Sequence, residues 1–407
     1  MNRSAKLLAV AALVAAPSLS AQARPPEIQY TAVDALGGFP AQIHLGEVAG
    51  VARNSRNEIY VYTRTGNPLM TMGTSRYIAV SSSRVFKFDS RGRYERELGQ
   101  EIYGSLFAQQ ARVDRDDNLW IVDRMSGQVI KFNPDGRIQM VLSRKPETLG
   151  GAVAAPRGGG PGGGGGGGAG APAAGRAGGA APAAGAGGGA PAAGRAGGAA
   201  PAAGAGGGAP AAGRAGGAAP AAGGGRGGPA MPEGESFNGP TDVVWDSQGN
   251  IYVADGVART RIAKYDPEGR FVTNFAAPGA ANIFGMQIDA QNNLYLADHG
   301  NQRIVVVNSQ NGQQVREIRG VGSPMAICIS PPPNQFLYVS NSNPPDNLEV
   351  GGEIYKVRLD GTVVGRFGTV GKRIGQFGTV NAIDCRVEND LLVGEVGNWR
   401  VQRVTLR

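Results

Sequence analysis

Four carboxylates recur at one position of a repeated sequence phrase, the end of its second apolar stretch. They are Asp123, Asp255, Asp298 and Glu395. Carboxylate oxygens suit a hard cation, and calcium is the ion that a ring of them would hold. An acid at a strand end can equally bond the backbone of its own turn or pair with a nearby arginine, here Arg259, Arg303 or Arg400. We expect this structural role, because a ring around a central opening keeps its members apart.

Other polar residues stand at the same position or at the start of the first apolar stretch. With three of the acids they make up the candidate ligand-binding residues: Arg64, Gln109, Arg124, Asp255, Asp298, His299, Asn341, Asn381 and Glu395. His299 has the chemistry of a general base or metal ligand, but no second histidine or cysteine stands near it at a repeat position. We therefore expect a solvated loop histidine. A lone arginine such as Arg64 is more often a salt-bridge residue than a catalytic one, and the pattern assigns no catalytic residue.

The repeated phrase also predicts the elements that carry these residues. Copies stand at 109–127, at 239–256 (GPTDVVWDSQGNIYVADG) and at 284–300 (FGMQIDAQNNLYLADHG). Each copy has two apolar stretches joined by a polar turn, which is typical of a β-hairpin. Repetition every 40–50 residues or so indicates a propeller or solenoid, because each unit exposes an apolar face that only its neighbours can cover.

The copies divide the chain into six four-stranded blades of an all-β propeller. The blades begin at Val48, Gln109, Gly239, Phe284, Ser323 and Val380. The sixth has only three strands, so we expect the N-terminal segment 28–36 to add the fourth and close the ring. Strand alternation then places two sets of loops on one side, which we call the loop face: those that enter each first strand and those that join second to third strands.

The third and fourth strands of the blades should be joined by tight hairpins. Two-residue turns are expected at Asp135-Gly136, Glu268-Gly269, Asn311-Gly312 and Asp360-Gly361.

The units resemble NHL repeats. The shared pattern is an Asp, a Gly-Asn turn, Tyr-Val-Ala-Asp, and then Arg-Ile before an aromatic-Asp-Pro-x-Gly turn, as in TDVVWDSQGNIYVADGVARTRIAKYDPEGRFVTNF. The resemblance covers nearly all of the chain outside 148–232 and the N-terminal leader. It implies a six-bladed propeller, and that segment is particularly similar to a blade of the lyases that split peptidyl-α-hydroxyglycine into an amidated peptide and glyoxylate.

The lyase resemblance implies a zinc ion on three histidines, which polarises the substrate hydroxyl. The three positions fall on Gln109, Phe284 and Asn381 in this chain. Its two histidines, His44 and His299, cannot make a three-histidine site, so the zinc site of the family is not preserved in the sequence.

Other functional positions of the lyases are also changed. The family's catalytic tyrosine aligns with Val257, one of its active-site arginines with His299, and an acidic calcium ligand with Ala382, whereas another arginine is retained as Arg64. The sequence is therefore similar to the lyases in its blades and departs from them at their metal chemistry.

Two segments differ in composition from the rest of the chain, an N-terminal leader and an internal insertion. Residues 1–23, with Arg3, Lys6 and the apolar run 7–16, are typical of a cleaved signal peptide, and no later segment is long and apolar enough to anchor the chain in a membrane. Residues 148–232 contain almost only Gly, Ala, Pro and Arg, with a repeat of 19 residues, and we expect disorder there. The propeller is then made from 24–147 and 233–407.

The net charge of +8 lies mostly outside the predicted propeller. Without the two cations of the leader and the five arginines of the insertion, the remainder is close to +1. A nearly neutral body does not indicate nucleic acid as a partner.

Cys328 and Cys385 are the chain's two cysteines and stand in the first strands of consecutive blades. They can pair in an oxidising compartment, but buried free cysteine is the commoner situation and is the favoured expectation.

Two functions are consistent with this pattern. The favoured one is a periplasmic or secreted binding module, monomeric and non-catalytic, that presents its loop face to a peptide, protein or carbohydrate. The alternative is an enzyme, either a diverged lyase or a lactonase-like hydrolase with a divalent metal on oxygen ligands. The metal-ligand candidates for the latter are Asp255, Asp298, Asn341, Asn381 and Glu395.

Overall fold

A computed structural model describes residues 24–65, 83–100, 102, 105–142, 236–257, 260–342 and 349–407, and the backbone of 70–72 and 76–78. The predicted leader at 1–23 and the predicted insertion at 148–232 lie outside the described residues, as does Arg259. The described residues belong to one unit, which is formed by 1–147 together with 230–407.

Nearly all the regular structure is β. In chain order the strands are β1 Tyr30–Asp34, β2 Glu47–Arg53, β3 Ile59–Arg64, β4 Met70–Met72, β5 Arg76–Ile78, β6 Arg84–Phe88, β7 Tyr94–Leu98, β8 Ala108–Val113, β9 Leu119–Asp123, β10 Gln128–Phe132, β11 Ile138–Leu142, β12 Asp242–Trp245, β13 Ile251–Asp255, β14 Arg261–Tyr265, β15 Phe271–Ala276, β16 Ile283–Ile288, β17 Asn293–Asp298, β18 Arg303–Asn308, β19 Gln314–Ile318, β20 Pro324–Ile329, β21 Phe336–Asn341, β22 Ile354–Arg358, β23 Val363–Phe367, β24 Thr369–Val370, β25 Gln376–Phe377, β26 Val380–Val387, β27 Asp390–Glu395 and β28 Arg400–Leu406. One turn of 3₁₀ helix, His299–Asn301, follows β17.

The strands form six antiparallel four-stranded blades, as the repeats predict. Blade 1 is β2-β3-β6-β7, blades 2 to 5 are β8–β11, β12–β15, β16–β19 and β20–β23, and blade 6 is β26-β27-β28-β1. The N-terminal strand pairs with the last one from Tyr30 opposite Leu406 to Asp34 opposite Gln402, which confirms the predicted closure of the ring. Closure adds β1 beside β28 as the outer, fourth strand of the sixth blade.

The hydrophobic core lies between the blades. Each of the six junctions has its own cluster of buried apolar side chains. The first strands of the blades, β2, β8, β12, β16, β20 and β26, lie side by side around the centre. A side chain at Gly50 in β2 would overlap the backbone of Ala111 in β8, so glycine permits the close approach of these inner strands. Each blade is thus stabilised by its neighbours.

The outer hairpin turns are longer than predicted. In blade 2 the amide of Asn133 donates to the carbonyl of Arg137, and the amide of Gly136 donates to the carbonyl of Asn133. Three residues therefore form the loop, and Gly136 has a φ of 88°. This is a type I turn followed by a left-handed glycine, which explains the shift in strand pairing beside it. The Asp-Gly pattern identified the turn, but the two-residue length was wrong.

Cys328 in β20 and Cys385 in β26 form a disulfide that joins blades 5 and 6. The favoured expectation of free cysteines was therefore wrong. Their positions on neighbouring inner strands bring the two Cα atoms to 6.0 Å, within the range that a disulfide requires.

The face opposite the loop face carries the turns that join first to second and third to fourth strands, and we call it the turn face. In three blades an aspartate at the start of the first of these turns accepts two backbone amides, an asparagine side chain and an aromatic N–H or O–H. The aspartates are Asp114, Asp246 and Asp289. This repeated network fixes the inner hairpins. None of the helices in the described part of the chain has the length and apolarity needed to cross a membrane.

Candidate functional site

The acid that ends β17 shows what the recurring carboxylates do. Asp298 is fully buried and accepts hydrogen bonds from the amide of Ala281 at 2.9 Å, the side-chain amide of Asn301 at 2.7 Å and Nε of Arg303 at 2.8 Å. Burial opposes ionisation, but these donors hold the pKa of Asp298 below its ordinary value. The carboxylate closes the loop of its own blade.

Two other blades repeat this arrangement. Glu395 accepts from the amide of Gly378 at 2.8 Å, the side-chain amide of Asn398 at 2.5 Å and Nε of Arg400 at 2.8 Å. Asp255 accepts from the amide of Asn238 at 2.9 Å and Nε of Arg261 at 3.1 Å. The predicted pairings with Arg303 and Arg400 are therefore present. The third arginine is Arg261 where the sequence suggested Arg259, because the first residue of the third strand lies directly opposite the acid.

Blade 2 lacks the arginine of this arrangement. The residue opposite Asp123 is Gln128. Asp123 accepts instead from the hydroxyl of Tyr62 in blade 1 at 3.0 Å and from the amides of Phe107 and Ser126 at 2.8 Å each. Its partners include a neighbouring blade, so the loop end of blade 2 depends on blade 1.

Blade 5 has an amide where the others have an acid. The side-chain oxygen of Asn341 accepts from the amide of Ser323 at 2.9 Å, and its nitrogen donates to Glu353 at 2.8 Å. In the described part of the chain, no three side chains of His, Cys, Asp or Glu are placed to share a metal ion.

The inner strands carry the other candidates. The side-chain amide of Asn381 donates to the carbonyls of Ala49 at 2.5 Å and Gln109 at 2.8 Å, which ties blade 6 to blades 1 and 2. The Gln110 side chain donates to the carbonyl of Asn381 at 3.4 Å. Phe284, the third position of the lyase comparison, packs edge to face on His299 with ring centroids 5.3 Å apart. The structure thus brings Gln109 and Asn381 together and places Phe284 beside His299.

A chamber of about 620 Å³ occupies the turn-face end of the centre, with lining residues from the inner strands of all six blades. Arg112 lines it and forms a two-pronged ion pair with the buried Asp242, with nitrogen–oxygen distances of 2.9 and 2.6 Å. Because this pair satisfies both charges, it links blades 2 and 3 without leaving a free charge in the centre.

His299 is half-buried in the loop that follows β17. Burial lowers its pKa, while hydrogen bonds to the carbonyls of Pro324 and Ser323 and the charge of Asp298 oppose the shift. Its Nδ1 is buried without a hydrogen-bond partner among the described residues. The ring is therefore neutral at pH 7 and retains an unused nitrogen.

Arg64, at the end of β3, lies at the junction of blades 1 and 2. Its Nε donates to the carbonyl of Ala108 at 2.9 Å, its Nη1 donates to Glu47 at 2.7 Å, and its guanidinium lies 3.8 Å from the centre of the Phe107 ring. Burial lowers the pKa of Arg64, and Glu47 opposes this shift. These contacts fix the guanidinium in place.

Arg124 is the second cation at this junction. Burial, and next the charge of Arg64, lower the pKa of Arg124. No described residue accepts a hydrogen bond from its guanidinium, whereas its backbone amide donates to the carbonyl of Phe107 at 3.0 Å. Arg64 is therefore paired with Glu47, whose side chain is 39% exposed, whereas the Arg124 guanidinium has no carboxylate partner among the described residues. We call Arg64, Arg124, Glu47 and Phe107 the arginine pair site.

The sequence indicated both arginines of this site singly, but it gave no sign of Glu47 or Phe107. Phe107 directly precedes the first strand of blade 2 and Glu47 begins that of blade 1. Their positions beside the blade starts were the available signal.

Comparisons with known proteins add limited information. No protein-family model matches the chain. It is 32% identical over 117 residues to "Peptidyl-glycine alpha-amidating monooxygenase B" of Xenopus laevis, a match that covers 26% of this chain and 13% of that protein. The A form from the same organism is 29% identical over 117 residues. The chain thus spans about one eighth of the length of the curated relatives it matches.

Among solved structures, a gluconolactonase of Xanthomonas campestris superposes with a TM-score of 0.52 at 12% identity, over 95% of this chain and 96% of that one. A streptogramin B lyase gives 0.49 at 10% identity, over 93% of this chain and 98% of that one. At such low identity the gluconolactonase match bears on the fold alone.

Proposed function

We propose that this protein is an exported binding module that holds its ligand by an anionic group at the arginine pair site. The observation that supports this most is Arg124, which is half-buried beside Arg64 without an acceptor among the described residues. Arg64 bonds Glu47 and also lies in the field of the buried Asp123 carboxylate, whereas no acid bonds Arg124 in the described part of the chain. A carboxylate brought by the ligand would supply the counter-ion that Arg124 lacks.

The chemistry of the site fits a carboxylate. Arginine presents a planar fork of donors that matches a carboxylate with two parallel hydrogen bonds. The fork of Arg124 is free to make these two bonds, whereas Arg64 already uses Nε on Ala108 and Nη1 on Glu47 and adds its charge and its remaining nitrogen, Nη2. Stacking on Phe107 holds Arg64 in place, which lowers the entropy lost on binding. Partial burial strengthens the charge interaction relative to open solvent.

The ligand we propose is the C-terminal carboxylate of a peptide. The name of the amidating relative states an action on peptidyl-glycine, and a peptide that ends in glycine has an unobstructed terminal carboxylate. Position on the loop face supports this, because convergent loops at one end of a propeller leave room for an extended chain.

The test is direct binding of a fluorescein-labelled tripeptide that ends in glycine, measured by anisotropy. The free acid should bind and the C-terminal amide should not. R64Q and R124Q should each weaken binding about tenfold, because each variant removes charge-assisted hydrogen bonding to the ligand carboxylate. R270Q is the matched control, since Arg270 is 74% exposed in a turn on the opposite face. Equal binding of acid and amide would reject the proposal.

An enzyme is the second candidate, and the similarity to the amidating monooxygenase is what favours it. Each candidate oxygen ligand of such an enzyme already forms a hydrogen bond within the fold. These residues are Asp255, Asp298, Asn341, Asn381 and Glu395. Elemental analysis of the purified protein, dialysed without chelators, decides between the two. A stoichiometric divalent metal that is lost in D298A would place the enzyme first.

A further inference from the structure

A second concave site lies on the turn face, between blades 2 and 3. It is a cavity of about 240 Å³ whose walls include Trp120, Trp245, Lys131, Arg115 and Asp116. Its other lining residues come from the turns of both blades and the strand ends beside them, so it opens on the side opposite the arginine pair site. The proposed function does not use it.

Two tryptophans form the apolar wall. Their ring centroids are 5.2 Å apart with the planes at 53°. Trp120 is 2% exposed, and its indole N–H donates to Asp114 at 2.9 Å. Trp245 is half-buried, and its indole nitrogen is buried without an acceptor among the described residues. Because this nitrogen is closed to solvent, a ligand in the cavity meets the carbons of the Trp245 ring and not its N–H.

Neither tryptophan is required by the repeat. The residue that corresponds to Trp120 is a tyrosine in four other blades: Tyr60, Tyr252, Tyr295 and Tyr338. The position of Trp245, directly before the turn residue, is Arg53, Val113, Ile288 and Ile329 elsewhere. The internal repeats therefore show that the fold can be built without this pair, and the pair marks one junction of the ring.

The charges around the cavity indicate a neutral ligand. The ammonium of Lys131 lies 5.3 Å from the centre of the Trp120 ring and 3.9 Å from Asp114. The chain thus supplies its own cation at the aromatic face, which opposes a ligand cation. The carboxylates of Asp114, Asp116 and Asp246 oppose a ligand anion.

The unused hydrogen-bonding groups complete the description. Asp116 is exposed, and its carboxylate has no partner among the described residues, whereas Arg115 uses Nη1 on the carbonyl of Ser247 at 3.3 Å. A ligand needs an apolar face for the indole and a donor for Asp116. The cavity is smaller than the pockets that hold drug-sized ligands, so it accepts one ring.

We propose that this cavity binds a single neutral sugar ring. The C–H face of a pyranose packs on the accessible carbons of the Trp245 ring, and a hydroxyl donates to Asp116. A sugar combines an apolar face with donors and acceptors and has no net charge, which is the combination that the cavity walls require.

The test uses the full protein and four neutral sugars: glucose, galactose, mannose and N-acetylglucosamine. Tryptophan fluorescence is followed as each is added. At least one sugar should bind with a dissociation constant of about 1 mM or lower, and W245F should weaken it about fivefold, because phenylalanine offers the sugar a smaller apolar face. W399F is the matched control, since Trp399 is 60% exposed in a loop of the other face.

D116A is the second variant, and its exposed position leaves folding intact, so a loss of sugar binding there supports the site even if W245F unfolds. Alanine is used because asparagine would keep an oxygen that accepts from the sugar hydroxyl. Circular dichroism verifies the fold of both. The proposal is overturned if none of the four sugars binds, if choline binds in their place, or if folded W245F and D116A both bind as the unmodified protein does.

Discussion

The loop ends of blades 3, 4 and 6 differ from those of blades 1 and 2. In the first group a buried acid pairs with the arginine that begins the next strand, as in Asp298 with Arg303. In the second group that pairing is absent: β3 ends in Arg64, and Asp123 of blade 2 is bonded by Tyr62 of blade 1. Blades 3, 4 and 6 close their own loops, whereas blades 1 and 2 share theirs.

This difference separates stability from binding. The acid–arginine pair recurs in three blades, so we assign it to a task that those blades share, which is closing the loop between their second and third strands. A departure from it frees cations from their partners, as in Arg124. The same reasoning applies to the turn face, where the recurring aspartate network is structural and the tryptophan pair is local to one junction. Within a repeat protein, the exceptions identify candidate sites without any other sequence.

The largest effect is expected from the disulfide, which joins blades 5 and 6. The double variant C328A/C385A should lower the free energy of unfolding by about 4 kcal/mol, since the bond closes a loop with a sequence separation of 57 residues. Urea denaturation measures this. Binding of the carboxylate peptide should not change, because the arginine pair site lies in blades 1 and 2. Unchanged stability would mean that the bond is absent in solution.

The next effect tests the acid–arginine closure itself. D255N should lower the free energy of unfolding by about 3 kcal/mol, because it leaves the charge of Arg261 buried without its counter-ion. The matched control is D266N, whose partner Arg270 is 74% exposed, and no resolvable change is expected there. If D255N abolished peptide binding with its stability intact, the division between structural and binding blades would fail.

A smaller effect is expected where blades 1 and 2 share a loop end. The Tyr62 hydroxyl lies 2.8 Å from Ser105 Oγ and 3.0 Å from Asp123, and all three groups are buried. Y62F removes one hydrogen-bond donor of the Asp123 carboxylate and should lower the free energy of unfolding by about 1–2 kcal/mol. Y94F is the control, since no described residue bonds that hydroxyl. A loss in Y62F no larger than in Y94F would show that Asp123 does not depend on blade 1.

The smallest effect concerns pH. The folded pKa of His299 lies below the ordinary value of 6.5, so the unfolded chain takes up this proton first as pH falls. The stabilising contribution is complete above pH 6.5 and is lost as pH drops through the folded pKa. Unfolding at pH 7.5 and 5.5 should show a slope in the unmodified protein that H299Q reduces. Equal slopes would mean that His299 titrates normally.

Much of the fold follows from local pattern. The alternation of the hairpin phrase gives the strands, its recurrence gives six blades, and the missing strand of the last copy identifies Tyr30–Asp34 as the closing strand. Spacing along one hairpin also identifies pairs such as Asp298 with Arg303, because residues on adjacent strands face each other at fixed register. The pattern did not predict the length of the outer turns, because an Asp-Gly pair is compatible with loops of two residues and of three.

The site was predictable only in part. Arg64 and Arg124 were identified from their positions at strand ends, 60 residues apart, but nothing in either segment shows that the two guanidiniums lie close enough to perturb each other. The pairing of Cys328 with Cys385 is of the same kind, since their spacing allowed both the bonded and the free state.

The sequence by itself determined the repeat, the strands and the contacts made within a blade, because these depend on residues a few positions apart. Tertiary structure decided which blades meet and therefore that Arg64 lies beside Arg124, Tyr62 reaches Asp123, and Trp120 packs on Trp245. These contacts cross blade junctions and depend on ring closure. Local pattern gave the count of the blades and the closing strand, but not which side chains meet at each junction.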